Sequence, residues 1–307
     1  MVGEKSYRIG SISEFHEIIG LPRPQHPLIS VVDLKDVKRP ADQMPATRIL
    51  EFYTISIKRY NIGFKYGQQR YDVQDGVMYF IGPGQVFTPP IKNKEAKVNS
   101  ISGWALYIHP DFFWNTHLAK AIKRYEYFSY SVNEALYLSG SEEAIIVSLM
   151  QSIQREYFTN TDKFSHDIII SIVETLLNFA DRFYYRQFLT QKVENHQILE
   201  RLEHLLNTYF DSPDLIVSGL PTVQTIAEKL NISPNYLGSL LKALTGRNTQ
   251  QHIQDKLIEK AKEKISSKQL SLSEISYELG FEYPQSFTRL FKAKTGLTPL
   301  AFRQALS

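Results

Sequence analysis

Two sets of side chains near the end of this sequence suit a partner that is both anionic and edged with hydrogen-bonding groups. The first set is Asn235, Ser239 and Lys242; the second is Gln285, Ser286, Thr288, Arg289 and Lys292. A guanidinium such as that of Arg289 meets the two acceptors of a guanine edge at once, and the carboxamide of Gln285 matches an adenine edge. Lysines at 242 and 292, toward the ends of their segments, suit phosphate, which positions a protein on a duplex without reading its sequence. This is recognition chemistry, with no covalent step.

Other chemistries lack their residues. The chain has no cysteine, which removes a disulfide framework, a thiolate metal site and a cysteine nucleophile. Its eight histidines (His16, His26, His109, His117, His166, His196, His204, His252) include no pair two or four residues apart, and the stretch from Glu51 to Val86 holds none. No phosphate-binding glycine loop or nucleophile elbow is present. We therefore expect no catalytic residue, no metal and no cofactor, and a protein that is not an enzyme.

The two sets lie on a duplicated unit. IAEKLNISPNYLGSLLKALTG runs from Ile226 to Gly246, and ISYELGFEYPQSFTRLFKAKTG from Ile275 to Gly296. Ile226 aligns with Ile275, Leu230 with Leu279, Leu237 with Phe287, Leu240 with Leu290 and Leu241 with Phe291; the residues between them differ. Each copy reads as two helices joined by a tight turn, the second ended by Thr-Gly, with glycine where helices terminate. Ser233 suits an N-cap and Pro234 the first helical position. Such a helix-turn-helix sends its second helix into a major groove. On that helix Leu237, Leu240, Leu241 and Leu244, or Phe287, Leu290 and Phe291, form the buried stripe. Tyr236 fits either packing or a phosphate contact.

Residues 249–266 between the copies read as one helix, which at 1.5 Å per residue spans about 27 Å. Successive major-groove faces of B-DNA lie about 34 Å apart, so this rod suits two recognition helices set one turn apart. From Asn231 onward eleven Lys and Arg stand against six Asp and Glu. That excess of five exceeds the +3 of the whole chain, so positive charge is concentrated here. Taken singly, Lys256, Lys260, Lys262 and Lys264 read as a solvated rod face.

The rest of the chain must position these helices. At 307 residues there is length for about two domains. Residues 48–108 carry short Tyr, Phe, Ile and Val runs broken by Asp75-Gly76, Gly82-Pro83-Gly84 and Pro89-Pro90, the pattern of a small antiparallel sheet or barrel. In it Phe52, Thr54, Ser56 and Lys58 alternate with Tyr53, Ile55, Ile57 and Arg59, and the spacing leaves open which side is interior. Two amphipathic helices follow, over 142–158 and 164–188, and residues 191–197 read as a linker. The expected fold class is α+β, with domains 1–190 and 198–307. Ile168, Ile169, Ile170 and Phe183-Tyr184-Tyr185 exceed what one packed helix face requires, which points to a homodimer surface. No apolar run is long enough for a membrane span and no secretory leader is evident, so a cytoplasmic protein is expected.

The stretch ISYELGF, followed by SFTRLFKAKTGLTP and Ala301-Phe302-Arg303, resembles the DNA-binding domain of AraC/XylS-type transcriptional regulators, over about Ile198 to Ser307. Two departures are Pro284 at the start of the second recognition helix and Gly238 in the first, where no side chain reads a base. The resemblance implies a bacterial regulator, an activator in the family's usual form, with double-stranded DNA and RNA polymerase as partners. It also implies an N-terminal cupin-like barrel that binds a small-molecule effector and supports a homodimer. The run FYTISIKRYNIGFKYGQQRYDVQDGVMYFIGPGQVF resembles such a barrel, but the effector-binding residues are unknown from sequence. Two other readings are a barrel protein whose helical domain is a protein-interaction module, and a metal-dependent cupin enzyme, which the missing histidines disfavour.

Overall fold

A computed structural model describes the chain outside residues 1–6, 39–46, 61–64, 67–68, 71–75, 88–100, 132–133, 159–161, 213, 268 and 306–307. It divides into two compact units, Met1–Gln187 and Phe188–Ser307. Strands and helices occupy the first and helices the second, in keeping with the mixed class expected. Among the described residues no helix is long and apolar enough to cross a membrane.

The first unit contains β1 (Tyr7–Ile9), α1 (Ile12–Ile19), β2 (Ile29–Asp33), β3 (Arg48–Leu50), β4 (Tyr53–Tyr60), β5 (Lys65–Tyr66), β6 (Gln69–Arg70), β7 (Val77–Ile81), β8 (Val86–Phe87), β9 (Ile101–Ile108), α2 (Leu118–Ala121), β10 (Leu136–Tyr137), α3 (Gly140–Phe158) and α4 (Ser165–Thr190). Five strands form an antiparallel sheet in the order β10-β7-β4-β9-β2. A smaller sheet, β1-β3-β8, pairs β1 and β3 in parallel. Strands β5 and β6 pair with each other. Of the turns expected in this region, Asp75 and Pro89-Pro90 lie outside the described residues.

The register settles the two faces of β4. Arg59 donates to Glu143 of α3 through Nε (2.7 Å) and Nη2 (3.0 Å), and Tyr53 packs edge-on against Phe113 and Phe128, so the odd-numbered face lies toward the helices. Phe52 shares a core with Ile9, Ile12, Phe15, Leu50 and Tyr107, which places the even-numbered face toward the small sheet and α1. Both faces are covered, because a sheet with helices on one side and a second sheet on the other has no solvated side.

Most of the apolar surplus on α4 is internal. Ile169, Ile170, Phe183 and Tyr184 are buried, with Tyr184 stacked on Tyr127 at 5.6 Å; Ile168 and Tyr185 remain exposed. Residues 191–197, expected as a linker, are helical from Lys192 onward. Gln191 alone parts α4 from α5 (Lys192–Phe210), and the buried Asn195 amide donates to the Phe188 carbonyl, satisfying an end group of α4. Asn195 thus serves a neighbouring helix end, a role that needs a polar side chain and no apolar periodicity.

The second unit continues with α6 (Leu215–Ser218), α7 (Val223–Leu230), α8 (Pro234–Thr245), α9 (Thr249–Ser266), α10 (Leu272–Glu278), α11 (Pro284–Thr295) and α12 (Pro299–Ala305). The duplication seen in sequence is repeated bond for bond. Asn231 and Gly280, both left-handed, donate to Glu228 and Tyr277, while Ile232 and Phe281 donate to Ala227 and Ser276. Thr245 and Thr295 donate to the carbonyls of Leu241 and Phe291, each at 2.8 Å, ahead of left-handed Gly246 and Gly296. The repeat also reaches a third helix: Asn248 caps α9 as Thr298 caps the start of α12. The turn of the second copy is longer, with five residues between Glu278 and Pro284 against three between Leu230 and Pro234.

The rod expected at 249–266 is present as α9, but it is no bare spacer. Ile253, Leu257, Ile258, Ala261 and Ile265 lie in one core with Leu237 and Leu241 of the first copy and Ile275, Phe287 and Phe291 of the second. Both hairpins are thus fixed on a shared core.

One repeat position carries a test of stability. Ala227 and Ser276 match and are both fully buried, but the Ser276 hydroxyl has no hydrogen-bond partner among the described residues. Such a group costs about 1–3 kcal/mol relative to a satisfied one. Ser276→Ala is therefore expected to raise stability by about 1 kcal/mol, read as a higher urea midpoint at unchanged slope. A lower midpoint would mean that the hydroxyl is satisfied.

Candidate nucleic-acid interface

Caps and buried stripes set the orientation of α8 and α11. Ser233 accepts from the Tyr236 amide at 3.2 Å and Pro234 opens α8; Pro284 opens α11, where Tyr283 supplies no side-chain cap. Leu237 and Leu241 on α8, and Phe287 and Phe291 on α11, are buried against α9 and its neighbours, and Leu240 is buried as well. What remains on the other side follows from the helical period. Asn235, Ser239 and Lys242 stand at i, i+4 and i+7, and their repeat equivalents Gln285, Arg289 and Lys292 stand at the same steps, so each trio forms one stripe. Asn235, Lys242, Gln285, Arg289 and Lys292 are exposed, and Ser239 is half-buried.

Ser286 and Thr288 flank the second stripe and are exposed too. The Thr288 hydroxyl donates to the Pro284 carbonyl at 3.1 Å, which leaves its oxygen as an acceptor. The equivalent of Thr288 is Gly238; a Cβ built there would meet only Thr249 Oγ1, at 4.0 Å, so the position looks toward the start of α9. Tyr236, open between two roles in sequence, is buried with its ring edge-on to Phe188 at 5.2 Å, which is packing.

Charge is sorted more sharply than composition shows. Asp255 on α9 accepts from Arg247 at 2.7 Å and from Lys294 at 3.1 Å. Lys256 pairs with Glu259, Lys260 with Asp211 and Glu263, and Lys264 with Glu278. Asp211 also raises the pKa of Lys260, through its hydrogen bond to the ammonium. Lys262 lies 5.9 Å from the centre of the Phe302 ring. Among the described residues Lys242, Arg289 and Lys292 form no ion pair, which leaves these cations of α8 and α11 available to an outside anion. Sequence reading missed the part played by Asp255, because Lys294 is 39 residues away along the chain. It also passed over Tyr283, which is 58% exposed beside the first turn of α11.

Residues 226–305 match a family model described as a helix-turn-helix domain. Among curated proteins, the HTH-type transcriptional regulator YobQ of Bacillus subtilis is 35% identical over 85 residues, which are 28% of this chain and 35% of that protein. The HTH-type transcriptional regulator YfiF of the same organism is 30% identical over 139 residues, 45% of this chain and 41% of that one. The chain thus spans well under half the length of these relatives. Among solved structures, the C-terminal domain of the two-component response regulator yesN from Fusobacterium nucleatum is 30% identical, over 34% of this chain and 95% of that one, with a TM-score of 0.30.

Proposed function

We infer that this chain, whose C-terminal domain is an AraC-type helix-turn-helix domain, is a sequence-specific DNA-binding transcriptional regulator. It reads duplex DNA with both hairpins as helix-turn-helix units. The observation that carries this reading is the pair of matched stripes, Asn235-Ser239-Lys242 and Gln285-Arg289-Lys292, whose lysines and arginine form no ion pair among the described residues while neighbouring cations are held by acids of the domain. Gln285 and Arg289 read base edges, helped by Ser286 and Thr288, and Lys242 and Lys292 hold phosphate. Asn235 and Ser239 form the weaker reader, since the first stripe has no guanidinium.

In the same reading, residues 1–190 form an effector-binding and dimerisation domain, with the two sheets as parts of a cupin-like barrel. Residues 198–307 form the DNA-binding domain, and RNA polymerase and a second copy of the chain are partners in the cytoplasm. The test is selection of bound duplexes from a random pool, followed by affinity titrations over salt. A site of two contacted segments about one helical turn apart, with affinity falling steeply as salt rises, is expected. Absence of salt-sensitive duplex binding would favour a protein-interaction module.

A further inference from the structure

The duplicated unit offers an internal comparison at the residue that precedes each recognition helix. In the first copy this is Ser233, half-buried, whose hydroxyl accepts from the Tyr236 amide at 3.2 Å and so caps α8. In the second copy the same place, again directly before a proline, is held by Tyr283, which gives α11 no side-chain cap and is 58% exposed. A serine there stabilises a helix start, and a phenol does not. The corresponding amide, that of Ser286, instead donates to the Tyr283 carbonyl at 3.0 Å. Main chain thus does for α11 what a side chain does for α8, and the Tyr283 side chain is released from capping.

The backbone that carries this ring is pinned. Pro284 confines the residue before it to extended conformations, and Tyr283 sits there, at φ −128° and ψ 124°. Behind it the Phe281 amide donates to the Ser276 carbonyl at 3.1 Å and the Phe281 ring packs on Phe287 at 5.5 Å, so the turn is anchored in the shared core. Among the described residues the Tyr283 hydroxyl forms no hydrogen bond and its ring no aromatic contact. Two residues of chain, no more than about 7 Å, separate it from Gln285. With only two side-chain torsions, a tyrosine on so fixed a base has little freedom to lose on contact.

We infer that Tyr283 is a further DNA-contacting residue, its hydroxyl donating to a phosphate oxygen beside the segment read by Gln285 and Arg289 and its ring covering the adjoining sugar. The inference rests on the DNA-binding reading of the second hairpin and adds to it a neutral contact with the backbone of the duplex. The N-terminal end of a recognition helix is the part that meets the duplex, and tyrosine is among the side chains that hold phosphate there. Glu282, exposed beside it, leaves this place without positive charge of its own. The contact is therefore made by a neutral donor, which releases no counterion and adds affinity without steepening the dependence on salt. Lys292, at the other end of the same helix, acts in the opposite manner.

The experiment uses the full chain and the duplex selected from a random pool, with anisotropy titrations over a salt series and urea unfolding of the wild type, Tyr283→Phe and Tyr283→Ser. The serine variant places in the second copy the capping residue of the first, so its urea midpoint is expected to be no lower than that of the wild type. Affinity is expected to fall about fivefold in Tyr283→Phe, which loses only the hydroxyl, and about twentyfold in Tyr283→Ser, which loses the ring as well, with the salt slope unchanged in both. Wild-type affinity in Tyr283→Phe would overturn the inference. So would losses matched by a lower urea midpoint in both variants, which would make the tyrosine a support of the turn, or a slope reduced by about one, the mark of a lost cation contact. Absence of salt-sensitive duplex binding in the wild type would bring down the reading of the hairpins and this inference with it. Wild-type binding left unaltered in the Tyr283 variants would bring down this inference alone.

Discussion

Arg289→Ala is expected to weaken binding to the selected duplex by about 1–3 kcal/mol and to relax the preference at one base position. Arg289 is exposed and forms no ion pair among the described residues, and α11 is anchored by Phe287 and Phe291 on its opposite side. Removing it therefore leaves the fold in place, so the loss reports on the interface. Lys292→Ala should weaken all duplexes alike and lower the slope of log affinity against log salt by about one, as expected when one phosphate contact is lost. Lys294 supplies the contrast: it lies two residues farther along the same helix, but Asp255 holds its ammonium at 3.1 Å. Lys294→Ala should alter the slope by much less. Anisotropy titrations of the three variants, on specific and random duplex over a salt series, make the comparison. Equal losses on both duplexes for Arg289→Ala would remove that residue from the base readers, and equal slopes for Lys292→Ala and Lys294→Ala would remove the sorting of charge.

Much of the C-terminal unit is legible in sequence because its repeat is written in apolar residues. Ile226 and Ile275, or Leu241 and Phe291, keep their character since each fills the shared core. The third helix of the repeat escapes notice for the opposite reason: Asn248 and Thr298 do the same capping with different side chains, and Thr249 and Pro299 share burial without sharing chemistry. The pairing of β1 with β3 is equally invisible, since three-residue strands carry too little alternation to mark a partner. At the candidate site, residue types and helical spacing identify the exposed stripes. Whether a given lysine is available to a phosphate depends on acids that folding brings close, as Asp255 does for Arg247 and Lys294. The charge of Lys58 is plain on its strand, but its half-buried place near Arg48, which lowers its pKa, depends on a second sheet that no periodicity announces.

Gly280→Ala is expected to be the most damaging of three formally similar changes, at about 2–3 kcal/mol of folding stability. Gly246, Gly280 and Gly296 all sit at left-handed φ, between 74° and 82°, where a Cβ costs about 1–2 kcal/mol. Around Gly246 and Gly296 nothing lies within 4 Å of that Cβ, so backbone strain is the whole cost. At Gly280 the Cβ would also approach the Gly219 carbonyl carbon at 3.1 Å and the Leu215 carbonyl oxygen at 3.2 Å. Neither atom belongs to a side chain that can swing away. Gly219 has φ 69° and ψ −170°, a conformation open to glycine, and its carbonyl accepts from the Tyr209 hydroxyl, while Leu215 is buried in the shared core. Relief must therefore come from moving α6 or the turn before α11, and the second course shifts Gln285, at the start of that helix. Urea unfolding of Gly246→Ala, Gly280→Ala and Gly296→Ala should give about 1 kcal/mol for the first and third and at least twice that for the second. Among the three, Gly280→Ala should also lose the most specificity at the segment read by α11, since the change displaces that helix while its charges stay intact. Three equal losses would show that α6 yields freely and that the close approach of the two glycines has no part in placing α11.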